Sequence, residues 1–562
     1  MSIEAAFRPL LLAAVLALLP GMVLADQKSE LLELKHTIHN LMDALVEQGV
    51  VSAEQAESVK RTAAEKARAQ TRAEQAQDQP EQPPPGKVIR VPYVPQFVKD
   101  EIRDQVRSEL RGEVVEDVLR QAKTERWGMP EALPDWTRRF SFEGDLRLRG
   151  QGEFYAGDNA RFATAYVDFA RANANKSISG AFLNTEEDRE RARMRLRLGV
   201  KAKVTNDLDA GIRLATGSKG SAVSTNQTLD GNFGSYEIVL DRAYLKYTGR
   251  DLDGYPWLTL SGGRIANPYF STDLLWDSDL NFDGAAATLR YNLSGGDDLF
   301  ALEERDKSLF ATFGLFSIDE VELSDADKWL FGAQLGADLL FEDQSRLKLA
   351  LAYYDYNNIE GRRSPVAAPN RNDYTAPGAL QKGNSLFDIS NVPGNPFQRF
   401  GLASDFNILN LTAQYDIARF APIHVVVTAD YVENLGYDAD AIRNRLDNGA
   451  MFVNSTVFSA PPEDAQTRGY HAKVRVGWPD VLARDNWQVS LGYKYLERDA
   501  VVDAFTDSDF LLGGTNAKGW ILGASYGVLD NTYVSARYLS ADVISGPPLG
   551  IDVLQLDLVT EF

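Results

Sequence analysis

The 562-residue chain contains no cysteine and only four histidines. The first absence excludes a disulfide scaffold. The charge balance is equally one-sided. Asp and Glu outnumber Lys and Arg by 80 to 59, a net charge of −21. Nucleic-acid binding wants a basic face, so that partner class is set aside. Beyond the first 25 residues no apolar stretch approaches the roughly 18 to 20 residues that a membrane-spanning helix needs. No phosphate loop or dinucleotide fingerprint stands out. No base stands beside an activated serine, and no paired carboxylates are set for acid–base work. The chain is therefore read as not an enzyme, without cofactor and without metal. Asp277-Ser-Asp279-Leu-Asn281 resembles the start of a calcium loop. Phe282 replaces the glycine that such a loop requires, and Thr288 its bidentate glutamate, so an EF-hand is rejected.

Most informative is what remains. Residues 191 to 204 alternate strictly. Ala192, Met194, Leu196, Leu198, Val200, Ala202 and Val204 share one parity. Arg191, Arg193, Arg195, Arg197, Lys201 and Lys203 share the other. Successive strand residues point to opposite faces, so one face is apolar and the other is a ladder of cations. A soluble sandwich would bury the apolar face. A transmembrane barrel would set it in lipid and turn the cations into a watery lumen.

The N-terminus sets the compartment. Arg8, the apolar run Leu10 to Leu19, and Val23-Leu24-Ala25 read as an export signal over residues 1–25. Residues 26–79 read as a helical periplasmic segment, with Leu31, Leu34, Ile38, Leu41 and Leu45 at helical spacing. Residues 80–95 form a proline-rich linker. Residues 96–135 hold another helix, striped by Val98, Ile102, Val106, Leu110, Val114 and Val118. Such a stripe needs a partner, either a coiled coil or the chain's own hairpin.

From Trp136 the period changes from about 3.6 to 2. Sixteen strands are expected within 136–562, at 139–152, 190–204, 208–217, 236–248, 256–265, 284–293, 308–318, 329–341, 345–356, 405–418, 421–432, 466–478, 486–498, 517–528, 531–540 and 550–562. Long and short connections alternate between them. An even strand count with long loops on one side and short turns on the other is the outer-membrane barrel pattern. Mean hydropathy is only −0.28, because alternation hides the apolar face from a window average. Tyr353, Trp478, Trp487, Tyr493, Tyr495, Trp520, Tyr526 and Tyr538 fall near strand ends and fit two aromatic girdles. The expected fold class is an all-β transmembrane barrel of about sixteen antiparallel strands, with an N-terminal α-helical or coiled-coil periplasmic segment.

The chain ends Leu554-Gln-Leu556-Asp-Leu558-Val-Thr560-Glu-Phe562. Alternation up to a terminal Phe562 resembles the signal that bacterial outer-membrane proteins present to the barrel assembly machinery. Three further phrases carry a resemblance to a family of porins with an N-terminal helical extension. They are Val91-Pro-Tyr-Val-Pro-Gln-Phe-Val-Lys-Asp-Glu-Ile102, Gly144-Asp-Leu-Arg-Leu-Arg149, and the third long connection, Gly263 to Gly284. The resemblance implies a channel for small hydrophilic solutes, embedded in the membrane lipid and lipopolysaccharide of the outer membrane. The strand count is similar to that of the trimeric general porins, which implies a homotrimer.

In general porins the third loop folds into the lumen. Here that loop offers Asp273, Asp277, Asp279 and Asp283 as a pore constriction. The facing wall offers Arg147, Arg149, Arg193, Arg195, Arg197, Arg213 and Arg242. Carboxylates opposed to guanidinium groups would create a transverse field that orients polar solutes. Three functions stay open: a passive, weakly selective porin; an anion-preferring channel; or a structural tether between outer membrane and cell wall.

Overall fold

The computed structural model describes residues 139–562 apart from 162–165, 219, 294–306, 323–324, 395–397, 447–449, 454–455 and 463. The export signal, the helical segments and the linker lie outside the described residues.

The sixteen expected strands form one closed antiparallel sheet. They are β1 Phe140–Tyr155, β2 Arg189–Lys203, β3 Leu208–Thr216, β4 Ile238–Arg250, β5 Pro256–Ala266, β6 Asn281–Asn292, β7 Lys307–Asp319 and β8 Lys328–Leu340. The series continues with β9 Arg346–Asn357, β10 Asn407–Ile417, β11 His424–Asn434, β12 Arg468–Gly477, β13 Trp487–Leu496, β14 Ala517–Leu529, β15 Thr532–Val543 and β16 Gly550–Glu561. Each strand pairs with its sequence neighbour, and β16 returns to β1 with Asp145 opposite Glu561 and Tyr155 opposite Ile551. Closure is required because an unpaired edge in lipid leaves backbone groups unsatisfied at several kcal/mol each. The last residue takes part in the seam. Gly144 N donates to Phe562 O at 2.7 Å, and Phe562 N donates to Gly144 O at 3.0 Å. The Phe562 ring fills the space that a side chain at position 144 would need.

Alternation sorts the two faces. Leu198, Leu245, Leu260, Phe313, Leu335 and Leu411 are exposed on the outer surface. Tyr470 and Tyr495 stack on that surface with ring centroids 5.1 Å apart, beside Tyr493 and Trp520. Among the described residues no helix is long and apolar enough to cross a membrane.

Strand ends differ from expectation by a few residues. β1 continues to Tyr155 because Glu153, Phe154 and Tyr155 stay paired with β2 or β16 across positions that read as loop. β6 starts earlier, at Asn281, since Phe282 pairs with Ile265 and turns inward.

Long connections lie at one end and are numbered L1 to L8 in chain order. They are themselves packed. L1 carries the helix α1, Phe169–Asn175, capped by Asp168, whose carboxylate accepts from Arg171 N at 2.9 Å. L6 carries α2, Ala439–Leu446. Segments of L5 and L6, including Ser385–Asp388, Phe400–Leu402 and Met451–Val453, build a small separate sheet. Phe169 packs edge-on against Phe400 of L5 with centroids 4.8 Å apart.

Candidate functional site

L3, residues 267–280, turns into the barrel rather than away from it. The β-strands prepare its seat. Tyr269 meets the wall at Gly314 of β7 and Gly332 of β8, where a Cβ on either would collide with the Tyr269 hydroxyl. Its ring stands edge-on to Tyr354 of β9 at 5.0 Å and to Phe316 of β7 at 6.3 Å. Trp276 packs edge-on against Phe282 at 5.1 Å and Tyr354 at 5.4 Å. Phe270 is fixed through its backbone. Its N–H donates to Gln334 Oε1 at 2.9 Å, and its carbonyl accepts from Gln334 Nε2 at 2.8 Å. Inward-facing positions of β6 to β9 thus form an aromatic core with L3 in place of an open lumen.

From this core the loop reaches other walls. Thr272 Oγ1 donates to Asp430 Oδ2 of β11 at 2.5 Å. Asp273 lies beside β12 and β13. Its Oδ1 is 3.2 Å from His471 Nδ1, and its carbonyl accepts from Lys494 Nζ at 3.0 Å. Burial opposes the charge of Asp273, but the Lys494 ammonium and His471 hold its carboxyl well below the ordinary range. Asp279 faces β2. Its Oδ1 is 3.8 Å from Arg195 and 3.5 Å from Arg197, while its Oδ2 accepts from Thr225 N and Oγ1 at 3.1 and 2.9 Å. Burial is again opposed, here by Arg195, Thr225 and Arg197, and the Asp279 carboxyl is held low. L3 therefore touches β6 to β9 and also reaches β11, β12, β13 and β2.

Among the described residues Asp277 has no cation within ion-pair distance. Its Oδ1 accepts from Asp279 N at 2.8 Å and its Oδ2 from Ser508 N at 2.9 Å. Burial, and then the charge of Asp507, push its carboxyl up to about 8. Asp283 sits within β6 rather than in the loop. It lies opposite Arg264 of β5, pairs with it at 2.6 Å, and is half-exposed. The four acidic residues singled out from sequence are thus not one cluster. Only Asp279 contacts the arginines of β2.

The seven arginines divide similarly. Arg147, Arg149 and Arg195 line a cavity of about 320 Å³ inside the barrel. Arg193 points inward beside them and donates to Gln151 Oε1 at 3.1 Å. Arg197 and Arg195 share Asp145, which accepts their Nε groups at 2.5 and 2.9 Å. Arg213 and Arg242 belong to a different network. A register shift between Arg213 and Leu214 against β4 brings Asp241 to the same side as Arg242. Arg213 pairs with Asp241, and Arg242 Nε donates to Asn281 Oδ1 at 2.7 Å. Asn281 Nδ2 in turn donates to Asp241 Oδ1 at 2.7 Å, which ties the root of L3 to the wall.

Two contributors were missed from sequence. One is the far wall of the same cavity, which carries Lys473 and Arg475 of β12 and Arg537 of β15. His471-Ala-Lys473-Val-Arg475-Val repeats the alternation of β2, so the signal was present. The other is L7, residues 497–516. It packs on L3, with Asp277 N donating to Phe505 O at 2.9 Å. Asp507 lies 3.5 Å from Lys494. Asp509 lies 3.3 Å from Arg149 and 3.2 Å from Arg537. Four aspartates within Asp499 to Asp509 hinted at this loop, but not at its inward course.

The cavity thus carries six Lys or Arg side chains against the carboxylates of Asp273 and Asp557. Arg149 is held by Asp557 through Nε at 2.7 Å and Nη2 at 2.9 Å. Arg147, Lys473 and Arg475 have no carboxylate within ion-pair distance among the described residues. Such a surface attracts anions. Among the described residues no cluster of His, Asp or Glu is arranged to hold a metal ion.

No curated protein matches the chain. Among solved structures, the outer membrane channel DcaP of Acinetobacter baumannii is 13% identical, with a TM-score of 0.37, covering 75% of this chain and 97% of that one. OprB of Pseudomonas putida is 12% identical, with a TM-score of 0.40 and coverage of 76% and 95%. OmpF of Salmonella typhi is 12% identical, with a TM-score of 0.37 and coverage of 75% and 97%. The decisive match is to the family described as putative porins, whose pattern spans residues 35–562. The chain belongs to that family and is a β-barrel porin of the outer membrane.

Proposed function

We propose that this porin passes small hydrophilic solutes through a lumen narrowed by L3, and that the passage favours anions. The observation that carries this reading is the cavity wall with Arg147, Lys473 and Arg475, which have no carboxylate partner among the described residues. A fixed positive wall in a narrow, partly desolvated passage raises the local concentration of anions and lowers that of cations. Asp279, opposite Arg195 and Arg197, supplies the transverse element of the field; Asp273 marks the opposite wall.

The remaining parts of the reading concern assembly. Residues 1–25 direct export, and 26–135 form the periplasmic helices and their linker. Phe562 addresses the chain to the barrel assembly machinery. The outer surface takes up membrane lipid, lipopolysaccharide and two further copies of the chain.

Planar-bilayer recording tests the proposal. The full chain should give open-channel steps and a reversal potential of anion-selective sign in a KCl gradient. Cation selectivity would refute the anion preference. Complete absence of conductance would leave the tether function in its place.

A further inference from the structure

L7 places a carboxylate behind the wall of the passage, against cations that line it. Asp509 contacts two of the six cations lining the cavity, Arg149 of β1 at 3.3 Å and Arg537 of β15 at 3.2 Å. These strands are separated by β16, so one loop side chain bridges the wall across it. Arg149 keeps a second partner in Asp557, but no other carboxylate lies within ion-pair distance of Arg537 among the described residues.

L7 does not depend on Asp509 for its position. Asn384 of L5 donates to the carbonyls of Arg498 and Val501 at 2.6 and 2.9 Å. Ser385 donates from N and Oγ to Asp499 at 2.9 and 2.6 Å. Thr515 N donates to Lys382 O at 2.8 Å, and Ser508 N to Asp277 of L3. Both ends and the middle of the loop are therefore fixed by other contacts. The contacts of Asp509 with Arg149 and Arg537 are thus added to a loop already anchored elsewhere.

From this geometry we infer that Asp509 is a specificity-determining residue of the channel: it masks Arg149 and Arg537 and so limits how much positive charge a passing anion meets. The inference rests on the anion-preferring reading of the same cavity. It gives L7 a role distinct from that of L3. L3 narrows the passage; L7 sets its charge.

The test uses the full chain in planar bilayers under a KCl gradient at low salt. Asp509→Asn keeps the side-chain shape and removes the charge. It should raise the chloride-to-potassium permeability ratio about two- to fourfold, the size expected when one partly solvated ion-pair partner is lost. Asp509→Glu should restore the wild-type ratio. Adding Arg537→Gln to Asp509→Asn should remove much of the rise, since the unmasked cation is its source. All differences should fade near 1 M salt, where the screening length falls to about 3 Å. An unchanged or lowered ratio in Asp509→Asn at low salt would overturn the inference. A cation-selective wild type would instead refute the anion reading, and the shift from wild type to Asp509→Asn would still decide the role of Asp509.

Discussion

The lumen has two unlike halves. From β6 to β9 its inward positions carry Phe282, Phe316, Tyr354 and Tyr356, and L3 presses Tyr269 and Trp276 into them. From β12 round to β2 they carry Lys473, Arg475, Arg537, Arg147, Arg149 and Arg195, and a cavity remains. The same strand alternation produces both halves. Where the inward residues are aromatic, burial of apolar surface pulls the loop onto the wall. Where they are cationic, desolvation opposes close packing and water keeps the space open. One half seats L3 and the other keeps a cavity.

The largest effect should come from unseating the anchor. Gly332→Val puts a branched side chain where the Tyr269 hydroxyl lies, and overpacking of this kind costs about 1–3 kcal/mol. Tyr269 should leave its seat, L3 should move, and single-channel conductance should rise. A wild-type conductance with unchanged thermal stability would mean that the glycine is not what admits the loop.

Next in size is the conducting half. Removing two unpaired cations, Arg147→Ala with Arg475→Ala, should abolish most of the anion preference while leaving barrel stability nearly unchanged. Removing the carboxylate that faces Arg195 and Arg197, Asp279→Asn, should shift preference the other way, further toward anions. Reversal potentials at low salt check both, and equal values in all three proteins would contradict the two-half description.

A smaller effect concerns pH. Burial and the neighbouring Asp507 raise the Asp277 carboxyl to about 8, while Asp503, raised by its own burial, reaches about 7. A carboxyl with a raised folded pKa holds its proton more tightly folded than unfolded. Stability at the L3–L7 junction is therefore greatest in acid and is lost as pH climbs from the ordinary carboxylate range through about 8. Anion preference should fall over the upper part of this range as Asp277 gains charge. Asp277→Asn should flatten the change between pH 7 and pH 9, measured as reversal potential against pH; an undiminished pH dependence in that variant would assign it elsewhere.

The smallest effect belongs to the aromatic half itself. Lys348 Nζ stands 4.3 Å from the centre of the Phe270 ring. Lys348→Met should cost about 0.5–2 kcal/mol of L3 anchoring, seen as a modest loss of thermal stability with selectivity nearly unchanged.

Much of this was legible in the sequence because period 2 is a local property. Arg191 to Val204 states its own orientation, and the rhythm of loops and turns states the strand order. The inward turn of L3 came from a resemblance, not from spacing. Its physical cause, Tyr269 seated over Gly314 and Gly332, joins residues more than forty positions apart, and no local pattern reports that. The partition of the acidic residues failed to show for the same reason. Asp273, Asp277 and Asp279 are close in sequence, yet they reach β12, L7 and β2 respectively. Asp283 read as a loop residue because the strand was expected to begin at 284; β6 in fact begins at Asn281. The contribution of L7 depends on contacts with L5, which lies over a hundred residues away.

The most direct test of the account is the reversal potential of the wild-type channel in a KCl gradient, taken at low and at high salt. A clear anion-selective sign is expected at low salt, shrinking as the Debye length falls from about 10 Å at 0.1 M to about 3 Å at 1 M. A cation-selective sign, or a selectivity indifferent to salt, would contradict it.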